Sequence, residues 1–397
     1  MKSIPLRFVA DVRTSSVDKH THEGELPVQL CNYVDVYRKD VVRPGPDLMR
    51  ATASQEEINR FRLQVGDTVL TKDSEDPAEM GVSAYIDQTA DDFVCGYHLA
   101  IARPVEATHS KFLTWVLRSR PVLDHFTAHS SGISRYGLSL SGLRSTPIPV
   151  KDWDEQRRIA DFLDDRVARI DQIITARRRQ TASLFERFRH QVVMEASRHE
   201  RVPLRRLLAA VRTGTTPADA ANDPNGSAWY SPGSFGESLE LGAPARRVTP
   251  VGLPRFEAGS VLLVGIGATA GKVAWLRTPA TGNQQVTCLV PDRHRLDGRF
   301  LLHQLAVRTD ELLKTAPFAT LPIINNEAIR AFELWCAELA TQERLSRAWD
   351  ADLTNVISLR DTLGNSVALL TEYKQSLITA AVSGDLDVST AGSAIPG

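Results

Sequence analysis

A glycine-rich run ending in lysine is the most tempting catalytic motif in the sequence. The run from Gly265 to Lys272 reads GIGATAGK, a composition typical of loops that hold phosphate. A P-loop needs GxxxxGK followed by Ser or Thr, but here Ile266 replaces the first glycine and Val273 the hydroxyl residue. The dinucleotide fingerprint GxGxxG fails by one position, and the next residues favour a strand over the helix that would hold phosphate. We therefore predict a tight turn between two strands.

Two other groups of residues could do chemistry. His20, His22 and Glu23 could ligate a metal, but no second group of ligands accompanies them, so we expect an exposed loop and no metal site. Glu372 and Lys374 have the ExK spacing of some nucleases, yet they fall inside a long helical pattern and read as helix surface. No GxSxG or HExxH motif is present, nor the Asp/Asn-Pro-Pro-aromatic motif of amino-methyltransferases. The sequence therefore predicts a protein without catalytic residues.

The composition limits the alternatives further. The 397 residues have a net charge of -1, so any surface for nucleic acid must be local. The four cysteines form no CxxC pair, which makes a structural zinc or a disulfide framework unexpected. The N-terminus has no apolar signal region, and no run approaches the ~18 apolar residues of a membrane span. We expect a cytoplasmic protein that makes no membrane contact.

Binding has positive support, because basic and amide side chains stand beside aromatic ones in predicted loops. Arginine pairs with guanine, asparagine and glutamine pair with adenine, and lysine holds phosphate, so these residue types suit DNA. Any one of them alone would be a solvated loop residue, but they recur at related positions of a repeat. The candidate DNA-binding residues are Lys72, Arg135, Tyr136, Arg212, Thr213, Tyr230, Lys272, Asn283, Gln284 and Thr320.

The elements that must position these loops are two long helices. Asp154 to Ser197 contains neither Gly nor Pro, and its apolar residues follow the alternating 4,3 spacing of a heptad seam. The pattern returns about 186 residues later, from Thr341 to Val382, where Gln342 aligns with Gln156. Two striped helices in one chain most simply bury their stripes on each other. The predicted packing residues are Leu163, Val167, Ile170, Ile174, Leu184 and Phe188 in the first helix, and Trp349, Leu353, Val356, Leu363, Val367, Leu370 and Leu377 in the second.

The repeat extends beyond the helices. Pro-Leu-Arg followed by Val-Arg-Thr begins at Pro5 and begins again at Pro203. Each repeat has a β-rich texture, including a predicted strand over Phe93 to Ile101 and a predicted helix over Arg299 to Lys314. The predicted fold class is α+β: two mixed α/β domains, each followed by a long helix, with the helices packed as an antiparallel coiled-coil pair. The predicted boundaries are 1–150 and 201–337 for the domains, 151–200 and 338–384 for the helices, and 385–397 for a disordered tail.

With the repeat and both helices in view, the chain resembles a specificity subunit of a type I restriction-modification system, from Pro5 to Val388. The motif Ile148-Pro149-(x)5-Glu155-Gln156-x-x-Ile159 enters the first helix, and Leu370-x-Glu372-(x)4-Leu377-Ile378 with Gly384-x-Leu386-Asp387 closes the second. Gly214-Thr215-Thr216-Pro217 matches the usual start of a target recognition domain. The first domain departs here and reads Ser15-Ser16-Val17.

The resemblance implies a non-catalytic subunit whose two domains each read one half of a split DNA sequence. Its helices would act as a spacer and would dock two modification subunits, with or without restriction subunits. S-adenosylmethionine and ATP would bind to those partners, and this chain would carry no cofactor. Two alternatives stay open: a scaffold that organises protein partners without touching DNA, and a hidden enzyme acting through the loop Gly265 to Lys272.

Overall fold

The computed structural model describes residues 2–216, 222–314 and 322–389. The chain divides into two compact units, residues 1–176 together with 366–397, and residues 177–365. No helix within the described ranges combines the length and hydropathy that a membrane span requires.

The first unit is built on a five-stranded sheet in the order β2, β10, β6, β8, β4. Two three-stranded sheets (β5, β3, β9 and β11, β12, β7) and the pair β1, β13 complete it. Its strands are β1 (Ser3–Pro5), β2 (Ala10–Thr14), β3 (Leu26–Cys31), β4 (Val41–Val42), β5 (Met49–Ala53), β6 (Thr68–Thr71), β7 (Asp73–Ser74), β8 (Ser83–Ile86), β9 (Phe93–Cys95), β10 (Leu99–Pro104), β11 (Ser130–Ser131), β12 (Tyr136–Leu138) and β13 (Pro147–Pro149).

Short helices cover this sheet. They are α1 (Tyr33–Arg38), α2 (Gln55–Phe61), α3 (Ser110–Leu117), α4 (Arg120–His129) and α5 (Leu140–Ser145). Side chains accept hydrogen bonds from the first-turn N–H groups, as Ser54 does from Glu57 at the start of α2. The apolar helix α3 is almost entirely buried and packs into the same core as β2 and the first half of the long helix α6 (Trp153–Ala196).

The second unit repeats the plan with a four-stranded sheet in the order β15, β21, β18, β19. A three-stranded sheet (β17, β16, β20) and the pair β14, β22 accompany it. Its elements are β14 (Glu200–Pro203), β15 (Leu208–Thr213), β16 (Asn222–Tyr230), β17 (Arg246–Val248), β18 (Ser260–Val264), β19 (Val273–Leu276), β20 (Thr281–Gly282), β21 (Val286–Pro291), β22 (Glu333–Cys336), α7 (Gly298–Val307), α8 (Thr309–Leu313), α9 (Asn326–Ala331) and α10 (Leu339–Ser383).

The repeat is visible at the level of single hydrogen bonds. Gln156, near the start of α6, accepts from the backbone N–H of His109 at 2.8 Å and donates to the carbonyl of Lys151 at 2.9 Å. Gln342, near the start of α10, accepts from the N–H of Asp297 at 2.9 Å and donates to the carbonyl of Ala337 at 2.8 Å. Each buried glutamine therefore ties a long helix to the N-cap of a short helix.

A carboxylate makes the second equivalent link in each unit. Asp164 of α6 accepts from Trp115 at 2.9 Å and pairs with Lys111, both on α3. Asp350 of α10 accepts from His303 at 2.7 Å and from the guanidinium of Arg299, both on α7. Hydrogen bonds from His303 and Arg299 outweigh desolvation and hold the pKa of Asp350 below its ordinary value.

The mixed α/β architecture with two long helices is confirmed, and the helices span 44 and 45 residues. Two local predictions were wrong. The single strand over Phe93 to Ile101 is two strands, because the chain turns at Gly96, where an added Cβ would lie 2.9 Å from the carbonyl of Cys31. The single helix over Arg299 to Lys314 breaks at Arg308, whose buried guanidinium lies 4.0 Å from the ring centroid of Trp335.

Candidate nucleic-acid interface

Charged and aromatic side chains cluster around Lys72 in the first domain. Lys72 follows β6 and pairs with Asp73 at 2.6 Å. The Nδ1–H of His98 donates to Asp73 at 3.1 Å, which leaves Nε2 of His98 to accept from Arg135 at 3.0 Å. Tyr136 is next to Arg135 and pairs with Ser74 across β12 and β7. Three of the predicted residues, Lys72, Arg135 and Tyr136, are therefore brought together.

The electrostatics of this cluster favour an uncharged imidazole between two cations. The pKa of His98 is lowered from its ordinary value, first by burial and then by the charge of Arg135, despite the opposing hydrogen bond to Asp73. Neutral His98 keeps one lone pair, and that lone pair orients the exposed guanidinium of Arg135. The arrangement presents a cation, which suits a phosphate or a guanine edge.

The corresponding loop in the second domain is the amide loop, Asn283-Gln284-Gln285, which carries amide side chains instead of charged ones. Asn283 is buried and closes a turn by accepting from the N–H of Gln285 at 3.1 Å. The amide of Gln285 is used internally, because Oε1 accepts from Asn283 at 3.0 Å and Nε2 donates to the carbonyl of Ile266 at 3.2 Å. Gln284, between them, is exposed, and its Oε1 accepts from the hydroxyl of Thr216.

Backbone hydrogen bonds establish that the two loops are equivalent. The N–H of Lys72 donates to the carbonyl of His98 at 3.0 Å, as the N–H of Gly265 donates to that of Gln285 at 2.7 Å. Gly96 stands two positions before His98, and its N–H donates to the carbonyl of Cys31. Asn283 stands two positions before Gln285, and its N–H donates to the carbonyl of Tyr230 in the same way. His98 therefore occupies the place of Gln285, and Tyr97 that of Gln284.

Sequence reasoning missed Tyr97 and His98. The ring centroids of the two side chains lie 3.6 Å apart, and both residues are half-buried beside the Lys72 cluster. No motif marks them, since they stand in a turn that joins two strands of different sheets. The alignment of the two halves by their hydrogen bonds is the signal that finds them.

Other predicted residues are engaged inside the second domain. Arg212, near the end of β15, pairs with Glu257 at 2.6 Å and donates to the carbonyl of Arg255. The hydroxyl of Thr213 donates to Asn326 at 3.2 Å. These contacts fix the strand edge beside the amide loop, and a role in DNA contact stays a prediction for both residues.

Tyr230 meets the amide loop through its backbone carbonyl, which accepts from the N–H of Asn283 at 3.0 Å. The expectation that Tyr230 lies on a loop was wrong: it ends β16 and is only 9% exposed, within an apolar core. Lys272 is exposed at the base of the glycine turn and borders an open cavity of about 380 Å³ that is also lined by Phe185 and Phe188 of α6. Thr320 lies outside the described residues.

The glycine run has the predicted form of a turn between strands. It joins β18 to β19, so that a strand and not a helix follows Lys272. Gly271 has a positive φ of 90°, and an added Cβ would lie 2.4 Å from Thr309. The turn therefore packs against Thr309, and the strand after Lys272 replaces the helix that follows the glycine run in a phosphate-binding loop.

Eleven of the thirteen helix residues named from the sequence lie in or beside the cores of the two units, and the other two, Leu184 and Leu363, are half-buried. Those in the first unit belong to one core, and Phe188, Trp349 and Leu353 belong to the other. Lys374, of the ExK pattern, donates to both carboxylate oxygens of Asp171 at 2.8 Å. Buried residues are Leu163, Val167, Ile170, Ile174, Phe188, Trp349, Leu353 and Leu377; half-buried residues are Leu184, Val356, Leu363, Val367 and Leu370.

Across the residues that the structure describes, no group of three His, Cys, Asp or Glu side chains is placed to hold a metal ion. His20 and His22 instead both approach the carboxylate of Asp18, at 3.4 and 3.6 Å. The pKa of Asp18 is lowered, chiefly by a hydrogen bond from the backbone of His20.

Comparison with known proteins finds likeness in structure alone. No family model and no curated protein matches the sequence. A chain from a solved assembly of the type I restriction-modification system is 17% identical, with a TM-score of 0.76 over 97% of this chain and 98% of that one. The crystal structure of the HsdS subunit from Thermoanaerobacter tengcongensis is 18% identical, with a TM-score of 0.54 over 97% of each chain.

The fold defines a class of protein with two mixed α/β domains, each followed by a long helix. Within that class, the chain has the fold of a type I restriction-modification specificity subunit over nearly its full length. The resemblance predicted from the sequence is confirmed at the level of the fold.

Proposed function

We propose that this chain is the DNA-reading subunit of a type I restriction-modification complex. The observation that carries the proposal is the likeness in fold to the HsdS subunit and to a chain of the type I assembly, over 97% of this chain. The Lys72 cluster and the amide loop support it, because they bring base-reading residue types to equivalent places in two repeated domains. Each domain would read one half of a split sequence.

The two long helices would form an antiparallel pair that sets the distance between the halves. Within the first unit Asp171 of α6 contacts Lys374 of α10 at 2.8 Å, and within the second Glu195 of α6 accepts from Trp349 of α10 at 2.7 Å. As α6 advances from 171 to 195, its partner residues therefore recede from 374 to 349. At about 1.5 Å per residue each helix is about 65 Å long, enough to separate half-sites by one helical turn of DNA or more.

The chemistry would belong to partners. Two modification subunits would dock on the helices, with or without restriction subunits, and would bind S-adenosylmethionine and ATP. Target adenines would be flipped into the pocket of a modification subunit. This chain would carry no catalytic residue and no cofactor, and the complex would act on double-stranded DNA in the cytoplasm.

Methylation mapping tests the proposal directly. The chain is co-expressed with the modification subunit encoded beside it, and methylated bases are mapped across the host genome. We expect two short specific blocks around a fixed non-specific gap. A stable, methylation-competent complex that marks no split sequence would refute the proposal.

Exchange of residues 1–150 for another recognition domain tests the division of labour. One half of the recognised sequence is expected to change and the other half to persist. A change in both halves, or in neither, would contradict the assignment of one half-site to each domain.

A scaffold without DNA contact is the competing function, and charge reversal separates the two. Arg135 is exposed, and its guanidinium donates to His98, so Arg135→Glu places a carboxylate where a phosphate or guanine is expected. Lys272→Glu reverses the charge of an exposed residue at the base of the glycine turn in the second domain. A loss of DNA affinity in either assembled complex supports DNA reading, and unchanged affinity in both supports the scaffold.

A further inference from the structure

Gln284 projects from a rigid turn. Nδ2 of Asn283 donates to Oε1 of Gln285 at 3.0 Å, and the backbone N–H of Gln285 donates to Oδ1 of Asn283 at 3.1 Å. Nε2 of Gln285 donates to the carbonyl of Ile266 at 3.2 Å. Only Gln284, between them, is exposed. Its backbone is therefore fixed by neighbours whose side-chain amides are bonded within the turn and to Ile266.

A second segment holds the turn from the other side. The N–H of Thr215 donates to the carbonyl of Gly282 at 2.8 Å, and the indole of Trp229 donates to the carbonyl of Thr215 at 3.3 Å. An added Cβ on Gly214 would lie 2.2 Å from the carbonyl of Gly282, so the segments meet backbone to backbone. Thr216, the next residue, is thereby placed beside Gln284.

The hydroxyl of Thr216 donates to Oε1 of Gln284. An amide oxygen has two lone pairs, so one remains free, and Nε2 makes no hydrogen bond to any described residue. A glutamine that reads adenine needs one acceptor for the N6 amino group and one donor for N7, both in the major groove. Gln284 offers this pair on a side chain already held in orientation, which lowers the entropy lost on binding.

The equivalent place in the first domain carries different chemistry. There Tyr97 stands where Gln284 stands, and Arg135 and His98 provide a cation in place of amides. The two domains thus present different reading groups on the same backbone frame. The halves of the recognised sequence are expected to differ accordingly.

We propose that Gln284, oriented by Thr216, reads one adenine of the half-site bound by the second domain. This inference rests on the proposed function and assigns one base of the half-site to Gln284. The contact would be bidentate, with Oε1 accepting from N6 and Nε2 donating to N7.

Selection from a DNA pool tests the assignment without depending on methyl transfer. The assembled complex binds duplexes in which the half-site of the second domain is randomised, and the bound DNA is sequenced. The wild-type complex is expected to select A·T at one position. Gln284→Ala is expected to lose this preference about five- to a hundredfold, the worth of one bidentate pair, with every other position unchanged.

Two further variants sharpen the test. Gln284→Glu keeps the shape but removes the donor to N7, so preference is expected to move from adenine toward cytosine, whose N4 amino group a carboxylate accepts. Thr216→Val keeps Gln284 and removes only the orienting hydroxyl, so a smaller loss is expected at the same position. Gln55→Ala is the matched control, since Gln55 is exposed on α2 of the first domain and bonds Asn59.

The outcomes separate this inference from the proposed function. A wild-type complex that selects no split sequence refutes the function itself. A wild-type complex that does so, while Gln284→Ala retains full selectivity or relaxes at a G·C position, refutes the assignment alone. If Gln284→Ala fails to assemble, Thr216→Val decides: relaxation at one A·T position supports the assignment, and unchanged selection overturns it.

Discussion

Replacing Gln342 with alanine should destabilise the second unit more than any other single truncation of a glutamine at a helix start. Gln342 is fully buried and accepts from the N–H of Asp297 at 2.9 Å. Its Nε2 donates to the carbonyls of Ala337 at 2.8 Å and Arg295 at 2.9 Å. Alanine would leave three backbone groups without this partner, at a cost on the order of 1 kcal/mol each.

The repeat supplies an internal comparison. Gln156 makes the equivalent bonds to His109 and Lys151, but no third backbone bond. We expect Gln342→Ala to lower the free energy of unfolding by about 3 kcal/mol and Gln156→Ala by about 2 kcal/mol. For a unit of this size these values correspond to about 6–12 °C and 4–8 °C in Tm. Gln180→Ala, on the exposed centre of α6, should change the free energy by less than about 0.5 kcal/mol.

Thermal unfolding and amide hydrogen exchange provide the assay. Exchange at the N–H of Asp297 should accelerate in Gln342→Ala, while the N–H of His109 keeps its wild-type rate. The reverse should hold for Gln156→Ala. Equal, small effects for Gln342→Ala and Gln180→Ala would refute the reasoning, because they would mean that the buried backbone groups find other partners at no cost.

Three further predictions concern packing, pH and the helices. Trp349→Ala should cost about 3–5 kcal/mol of unfolding free energy in denaturant titrations, because the ring is fully buried, whereas Leu369→Ala, at 66% exposure on the same helix, should cost under about 0.5 kcal/mol. The lowered folded-state pKa of His98 means that the unfolded chain binds the proton more readily, so stability should be complete above about pH 6.5 and fall as the pH drops below it. His98→Gln should weaken that dependence in melts from pH 7.5 to 5.5, and an identical slope would contradict it. Inserting four residues after Gln180 and four after Gly364 should lengthen both helices by about 6 Å and widen the methylated gap by about two base pairs, and an unchanged gap would exclude a helical ruler.

The sequence predicted those elements whose residue pattern is periodic or repeated along the chain. The 4,3 spacing of apolar residues indicated both long helices, since a helix returns to the same face about every 3.6 residues whatever its surroundings. The repeat aligned Gln156 with Gln342, but the sequence did not show that each of them binds the N-cap residue of a short helix. That contact depends on where His109 and Asp297 lie after folding.

Loop placement was less predictable. Tyr230 was predicted to lie on a loop, yet it ends a strand and belongs to an apolar core. Tyr97 and His98 were missed because their turn joins strands of different sheets. Local composition indicates where a turn occurs, whereas the pairing of strands decides which side chains of the turn are exposed.

The sequence by itself determined the internal repeat, the two striped helices and the residue types in the loops, because these follow from patterns along the chain. Tertiary structure alone decided which side chains meet. Thr216 and Gln284 are 68 residues apart, and Lys72 reaches His98 only through the pairing of β6 with β10. Hydrogen bonds between such distant residues depend on strand register, which no local pattern specifies.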